Sequence, residues 1–315
     1  MSDVSRITQQ SASVLMVADL QSGLAQLAQL QEEVATGKQI NQPSDNPSGT
    51  SEVLSLNAQL GRFQQYSSNI SDGQSWLNTA DTTLGSVVKA LDQVQTDVLS
   101  GANGAAQSAG GNQALSQEVL SIKQQILSLA SSTYNSRPIF SGTYGVSPYP
   151  QGSAGGVSDP TSSSYDANVA YAYAGSSSPV TRVVAPGQTV NVSLTGQQVF
   201  GSGPTSVFAL LDTVSQDLAS GNTTALSGTD LSQLQAALNT VTQSQGTVGA
   251  MGTSLASDAV QVSGKVTAMQ GQVSTLTDAS EDQVVTELDL QETSYQAALE
   301  TTAKIIQPSL VQFLS

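Results

Sequence analysis

The chain has 315 residues, of which 10% are charged and 4% aromatic, and 24 acids outweigh 9 Lys+Arg to leave a net charge of −15. So few cations cannot form the clustered basic surface that a nucleic-acid backbone or an anionic membrane requires. Cys and His are both absent, which excludes disulfides, thiol nucleophiles, Cys/His zinc sites and the commonest general base.

The length is that of about two domains. No run of about eighteen apolar residues marks a membrane-spanning helix. The first residues, MSDVSRITQQSASVLMVADL, lack the basic and apolar segments of a Sec signal peptide. If the protein leaves the cell, the expected route is a different one.

Apolar residues spaced alternately three and four apart open the chain: Val17, Leu20, Leu24, Leu27 and, a heptad later, Val34. A fourteen-residue stretch, TGKQINQPSDNPSG, then interrupts the pattern. Gly37 is placed to end the first helix in a left-handed cap, and Asn46 with Pro47 to begin the next as N-cap and first helical residue. Asp45 adds negative charge at the positive end of that helix.

The second pattern is the most regular. Leu56, Phe63, Ile70, Leu77, Leu84, Leu91 and Val98 follow at steps of seven. The paired row, Val53, Leu60, Ser67, Gln74, Asp81, Val88 and Gln95, is mixed. This predicts a helix over about residues 47–99, roughly 80 Å long at 1.5 Å per residue. After GANGAAQSAGGN comes a third helix through Leu115, Val119, Ile122, Ile126 and Leu129, ending near Tyr134.

From Gly142 to Gly203 the composition turns to Gly, Ser, Pro and Tyr. Three runs alternate with period two: Val169, Tyr171, Tyr173; Val180, Arg182, Val184; and Val190, Val192, Leu194. They predict strands, with Pro186-Gly187 as a turn between two of them. Beyond them Leu234, Val241, Val248, Leu255, Val262, Met269 and Leu276 resume the heptad. The phase slips by one residue before the last stripe, Val284, Leu288, Gln291, Tyr295, Ala298, Thr302 and Ile305. Ser280-Glu281-Asp282-Gln283, inside the slip, reads as a capping box or as a solvated turn of one continuous helix.

The expected fold is mainly α with a small inserted β domain: long antiparallel heptad helices forming a rod, the terminal helices paired at one end and the β domain at the other. The expected divisions are 1–40 as an N-terminal assembly helix, 41–140 as the first half of the rod and 141–204 as the β domain. Residues 205–279 form the second half and 280–315 a C-terminal assembly helix. Glu32-Glu33 and Glu281-Asp282 are adjacent on their helices and do not face each other, so neither is an acid/base pair. No phosphate loop, metal-protease or nucleophile-elbow motif is present. No catalytic residue, cofactor or metal is assigned. What remains is interaction surface: the two terminal helices carry apolar stripes to be covered either by neighbouring copies on assembly or by a four-helix bundle closed within the monomer.

Several stretches together resemble the bacterial flagellar axial proteins, flagellins and hook–filament junction proteins. They are Thr36-Gly37-Lys38 followed by Pro43-Ser44-Asp45-Asn46-Pro47; Asn69-Ile70-Ser71-Asp72-Gly73; Leu77-Asn78-Thr79-Ala80; Gly246-Thr247-Val248-Gly249-Ala250; and Tyr295-Gln296-Ala297-Ala298-Leu299 with the apolar end Ser309-Leu310-Val311-Gln312-Phe313-Leu314. Pro43, Ile139-Phe140-Ser141-Gly142-Thr143 and Gly196-Gln197-Gln198-Val199-Phe200-Gly201 are more similar to the junction branch. The family's Arg before Val248 is absent, with Gly246-Thr247 in its place.

The resemblance implies a structural, non-enzymatic subunit of the extracellular flagellum, exported by the flagellar type III route and joining hook to filament. Implied partners are copies of itself, the other junction protein, flagellin and a cytoplasmic export chaperone on the C-terminal helix. The assembly interface is expected at Val17, Leu20, Leu24, Leu27, Val34, Val284, Leu288, Tyr295, Ala298, Ile305, Leu310 and Phe313. A hinge is expected at Gly37, Pro43, Asp45, Asn46, Pro47 and Ser280. Flagellin itself and, more remotely, a type III tip or translocator protein are the competing readings.

Overall fold

A computed structural model describes residues 2–103, 109–150, 162 and 165–313, with only the helical backbone for residues 2–10, 12, 13, 109 and 304–313. The chain is mainly helical and divides into two compact units: Met1–Arg62 with Lys265–Ser315, and Phe63–Gly264.

In the first unit α1 (Ser2–Thr36) packs against α9 (Glu281–Phe313). In the second, the Phe63–Ala102 stretch of α2 (Pro47–Ala102) lies antiparallel to α8 (Leu231–Thr277). Gln95 donates to Gln235 at 3.2 Å and Gln245 to Asp81 at 3.1 Å, while Gly73 approaches Leu255. Rising numbers on one helix meet falling numbers on the other. The expected heptad row is the buried one: Ile70, Leu77, Leu84, Leu91 and Val98 on α2, and Leu234, Val241, Val248, Leu255 and Val262 on α8.

Helix α2 also buries Trp76, Ala80, Val87, Ala90 and Val94, a second face beyond a single heptad row. In the same unit α3 (Ala109–Ala130) packs on α6 (Val207–Ser220). Ser206 caps α6 by accepting from the Ala209 amide at 3.2 Å, and Gly221, at φ 69°, ends it in a left-handed cap. The break after α2 is shorter than the Gly-rich sequence indicates, since α2 runs to Ala102 and α3 starts at Ala109.

The long helices satisfy many hydroxyls internally. In α2, Thr79 donates to the Ser75 carbonyl at 2.9 Å and Thr83 to that of Thr79 at 2.8 Å. In α8, Thr240, Thr242 and Thr247 bond the same way four residues back.

Two short hairpins follow α3, the first of them ahead of the expected 141–204 insertion. β1 (Thr133–Tyr134) pairs with β2 (Arg137–Pro138). Asn135 and Ser136 both have positive φ, the conformation of a two-residue type I′ turn. β3 (Thr181–Ala185) pairs with β4 (Gln188–Asn191) around Pro186-Gly187. Arg182 docks this second hairpin on α2 through a 2.7 Å ion pair to Asp72, and its guanidinium lies over buried Trp76.

The run Val169, Tyr171, Tyr173 is not a strand. Asp166 caps a single helical turn, α4 (Ala167–Ala170), by accepting from the Asn168 amide. Tyr171 and Tyr173 instead turn inward, and the inward turn mimics alternation. Tyr149 and Tyr171 join Phe140, Phe200 and Phe208 as fully buried rings. Two short helices, α5 (Gly196–Phe200) and α7 (Thr223–Ala225), and a π-turn at Leu226–Asp230 complete the unit.

The unit also buries charge. Lys123 on α3 and Asp212 on α6 form a 2.6 Å ion pair with 2% and 1% exposure. Tyr171 donates to the second Asp212 oxygen at 2.6 Å and Tyr165 at 3.0 Å.

Asp97 on α2 is buried with Oδ2 unpartnered. Burial, then Glu118, raises its carboxyl from the ordinary 3.8 to about 6, while the Gln93 amide opposes the rise. A native value above the unfolded one means that the folded state binds this proton more tightly. The cost of the charge is therefore fully present above about pH 6 and relieved as pH falls through that value. Asp97→Asn should stabilise the protein at about pH 7.5, and the gain should vanish near pH 4. Denaturant titrations of both chains at the two pH values measure this.

Candidate assembly interface

The first unit is built from α1, α9 and the turns that start and stop them. Helix α1 ends at Gly37, whose φ of 68° suits the left-handed cap, with its amide bonded to the Glu33 carbonyl at 2.8 Å. The chain then forms a single antiparallel bridge, Lys38 to Asp278. Gln39 donates to the Thr277 carbonyl at 2.8 Å and Ala279 to the Gly37 carbonyl at 2.9 Å. The Gln39 side chain adds a bond to the Leu276 carbonyl at 3.0 Å. Two chain breaks 240 residues apart thus share one patch of sheet-like bonding.

Each predicted hinge residue has a local role here. Asp45 Oδ2 accepts from the Asn41 and Gln42 amides at 3.0 and 2.8 Å, closing the turn that contains Pro43. Asn46 accepts from the Gly49 amide at 2.8 Å and so caps α2, with Pro47 as its first residue. On the other strand, the Ser280 carbonyl accepts from Gln283 and Val284, starting α9 with Glu281 and Asp282 in its first turn. Hydrogen bonds from Ser274 and Thr277, and then nearby Lys38, hold the Asp278 carboxyl below its ordinary range.

Gly37 has nothing within 4 Å of a built Cβ, so a substitution there meets only backbone strain. Gly37→Ala should cost about 1–2 kcal/mol, and Gly37→Asn less, because Asn tolerates this conformation. Thermal unfolding of the two variants separates the effects.

The helices α1 and α9 run antiparallel. Gln291 donates to the Gly23 carbonyl at 3.3 Å and to Gln26 at 3.2 Å, and Tyr295 lies against Gly23. An open groove of about 510 Å³ runs along this seam, lined by Met16, Leu20, Gly23, Gln291, Tyr295 and Ala298.

The seam takes only part of the predicted apolar set. Leu20, Leu27, Leu288 and Tyr295 are half-buried and Val284 is buried. Val17, Leu24 and Val34 stay exposed at 47%, 53% and 41%, as do Val14, Leu290 and Leu299. Ala298 is also exposed. The side chains of Ile305, Leu310 and Phe313 lie outside the described residues.

Among the described side chains of α1, none is buried. At 100° per residue, Val14, Val17 and Leu24 form a stripe offset from the seam positions Leu20, Gly23 and Leu27. The sequence reading merged these two faces and passed over Gly23. Its three- and four-residue spacing from Leu20 and Leu27 was the available signal. It also passed over Gly49, which is buried against Ile40.

Residues 7–145 match the family model described as the bacterial flagellin N-terminal helical region. Over those residues the chain is similar to that family. Flagellar hook-associated protein 3 of Salmonella typhimurium is 25% identical over 199 residues, 62% of this chain and 57% of that protein. Polar flagellin F of Vibrio parahaemolyticus is 27% identical over 146 residues, 46% of this chain and 38% of that protein. The matched stretches thus span about half the length of these curated relatives or less. A solved structure described as a flagellar hook-associated protein from Vibrio parahaemolyticus superposes with a TM-score of 0.64 at 22% identity. The superposition covers 74% of this chain and all of that one. At that identity it establishes a shared fold. The stretch similar to that family thus covers α1 from residue 7, all of α2 and α3 and the first hairpin.

Proposed function

We propose that the chain is a structural subunit of the bacterial flagellum, forming the junction between hook and filament. The carrying observation is the antiparallel α1–α9 pair, whose seam leaves Val14, Val17, Leu24 and Leu290 open to solvent. An apolar face on a pair too thin to bury it is stable when neighbouring subunits cover it. The match to hook-associated protein 3 supports the junction as the place of assembly. The role is mechanical rather than enzymatic.

In this reading Val17, Leu20, Leu24, Leu27, Val34, Val284, Leu288, Tyr295 and Ala298 pack within and between subunits, and Ile305, Leu310 and Phe313 belong to the same proposed interface. The Lys38–Asp278 bridge, with Gly37, Asp45, Asn46 and Ser280, is the joint that sets the angle of the terminal helices. Partners are other copies of the chain, the second junction protein and flagellin. An export chaperone holds the C-terminal helix before passage through the flagellar type III route. The five divisions at residues 40, 140, 204 and 279 follow from this plan.

A filament subunit is the second reading, favoured by the match to a polar flagellin. Seeded polymerisation separates the two. A junction subunit should remain monomeric alone and bind at the ends of purified hooks. Long filaments of this chain alone would reject the junction role in favour of the filament.

A further inference from the structure

We infer that Lys123 and Asp212 become joined by an amide bond between Nζ and Cγ, a cross-link that the chain makes on itself with loss of one water. The two side chains are buried on facing helices, with Nζ 2.6 Å from Oδ1. The carboxyl carbon lies one bond beyond that oxygen, so the amine stands beside the atom it would attack.

Burial prepares the pair. Two opposite charges held out of water carry a desolvation penalty that a low dielectric does not fully return. Attack on Cγ requires that a proton first pass from Nζ to Oδ1, so that an amine faces a carboxylic acid.

The other carboxyl oxygen is already served. Oδ2 accepts the Tyr171 hydroxyl at 2.6 Å and the Tyr165 hydroxyl at 3.0 Å. When the Nζ lone pair attacks Cγ, negative charge collects on Oδ2, where these two donors stand as an oxyanion hole. Burial, together with Asp212, pushes both tyrosines well above their ordinary range, so they keep their protons as donors.

The step balances without a co-reactant. Nζ loses two protons to Oδ1, the Cγ–Oδ1 bond breaks, and Oδ1 leaves as water. Oδ2 becomes the amide carbonyl and keeps both tyrosine hydrogen bonds. The burial of both side chains, with Nζ over the Tyr171 ring, shields the product from hydrolysis. The link would tie α3 to α6 across the whole inserted segment.

The test is the intact mass of the full folded chain, followed by tryptic mapping. The folded protein should be lighter than its sequence by one water. Cleavage after Lys123 should be lost, and one branched peptide should contain both residues. Lys123→Arg should restore the full mass. The double variant Tyr165→Phe/Tyr171→Phe keeps both reacting groups and should stay mostly at full mass. A wild-type chain still at full mass after long incubation in the folded state would overturn the proposal. So would a water loss that maps to other residues or persists in Lys123→Arg.

Discussion

Phe208→Ala should lower the unfolding free energy of the 63–264 unit by about 3–5 kcal/mol, the range for emptying a buried aromatic site. Phe208 is fully buried. Its ring centroid lies 4.9 Å from Tyr149, 5.5 Å from Tyr171 and 5.7 Å from Phe200. Removing it opens a cavity bordered by three large rings, two of which are themselves held: Tyr149 donates to the Gly201 carbonyl at 2.6 Å and Tyr171 to Asp212. Those bonds prevent the rings from collapsing into the space, which places the cost high in the range. Phe208→Leu should cost less, because most of the volume remains. Urea denaturation followed by the fluorescence of Trp76, which is in the same unit, measures both. A loss under about 1 kcal/mol for the Ala variant would show that the cluster repacks freely.

In the free chain, the amides of α1 and α9 should exchange with solvent at least about a thousandfold faster than those of α2 between Ile70 and Val98. The reason is the contrast in burial. Helix α2 presents Ile70, Trp76, Leu77, Leu84, Val87, Leu91, Val94 and Val98 at 1% exposure or less, whereas Val284 is the single buried residue among the described side chains of α1 and α9. Two helices joined along one half-buried seam have little beyond their own propensity to keep them closed. Hydrogen exchange with mass detection reads this directly. Limited proteolysis should likewise trim α1 and α9 before it cuts the 63–264 unit. Added neighbouring subunits should bring protection to α1 and α9. Terminal helices as protected as α2 in the free chain would contradict coverage by assembly.

Both predictions bear on what the amino-acid string reveals. The long helices were legible because a heptad row is local: Leu56 to Val98 and Leu234 to Leu276 can be counted without knowing what they touch. Gly37, Asn46 and Pro47 were legible for the same reason, since capping chemistry acts over three or four residues. The aromatic cluster was not. Tyr149, Tyr171, Phe200 and Phe208 meet through a chain path that no periodicity encodes, and Tyr171 and Tyr173 mimicked a strand. Lys123 and Asp212 lie 89 positions apart, each on a helix where a single charge reads as a solvated face. In the terminal helices the apolar residues were visible but their two faces were not separable. Leu20 and Leu24 look equivalent until the partner helix takes one and leaves the other.

The hydroxyls that fold back onto their own helices have one more consequence. A surface rich in Ser and Thr normally resists dehydration, because each group stripped of water demands a new partner. On α2 and α8, the exposed Thr82, Thr240, Thr242 and Thr247 already hold a carbonyl one turn behind them. Such a helix flank is nearly indifferent to its surroundings: it can stand in water or be pressed against another subunit, and its hydrogen-bond inventory hardly changes.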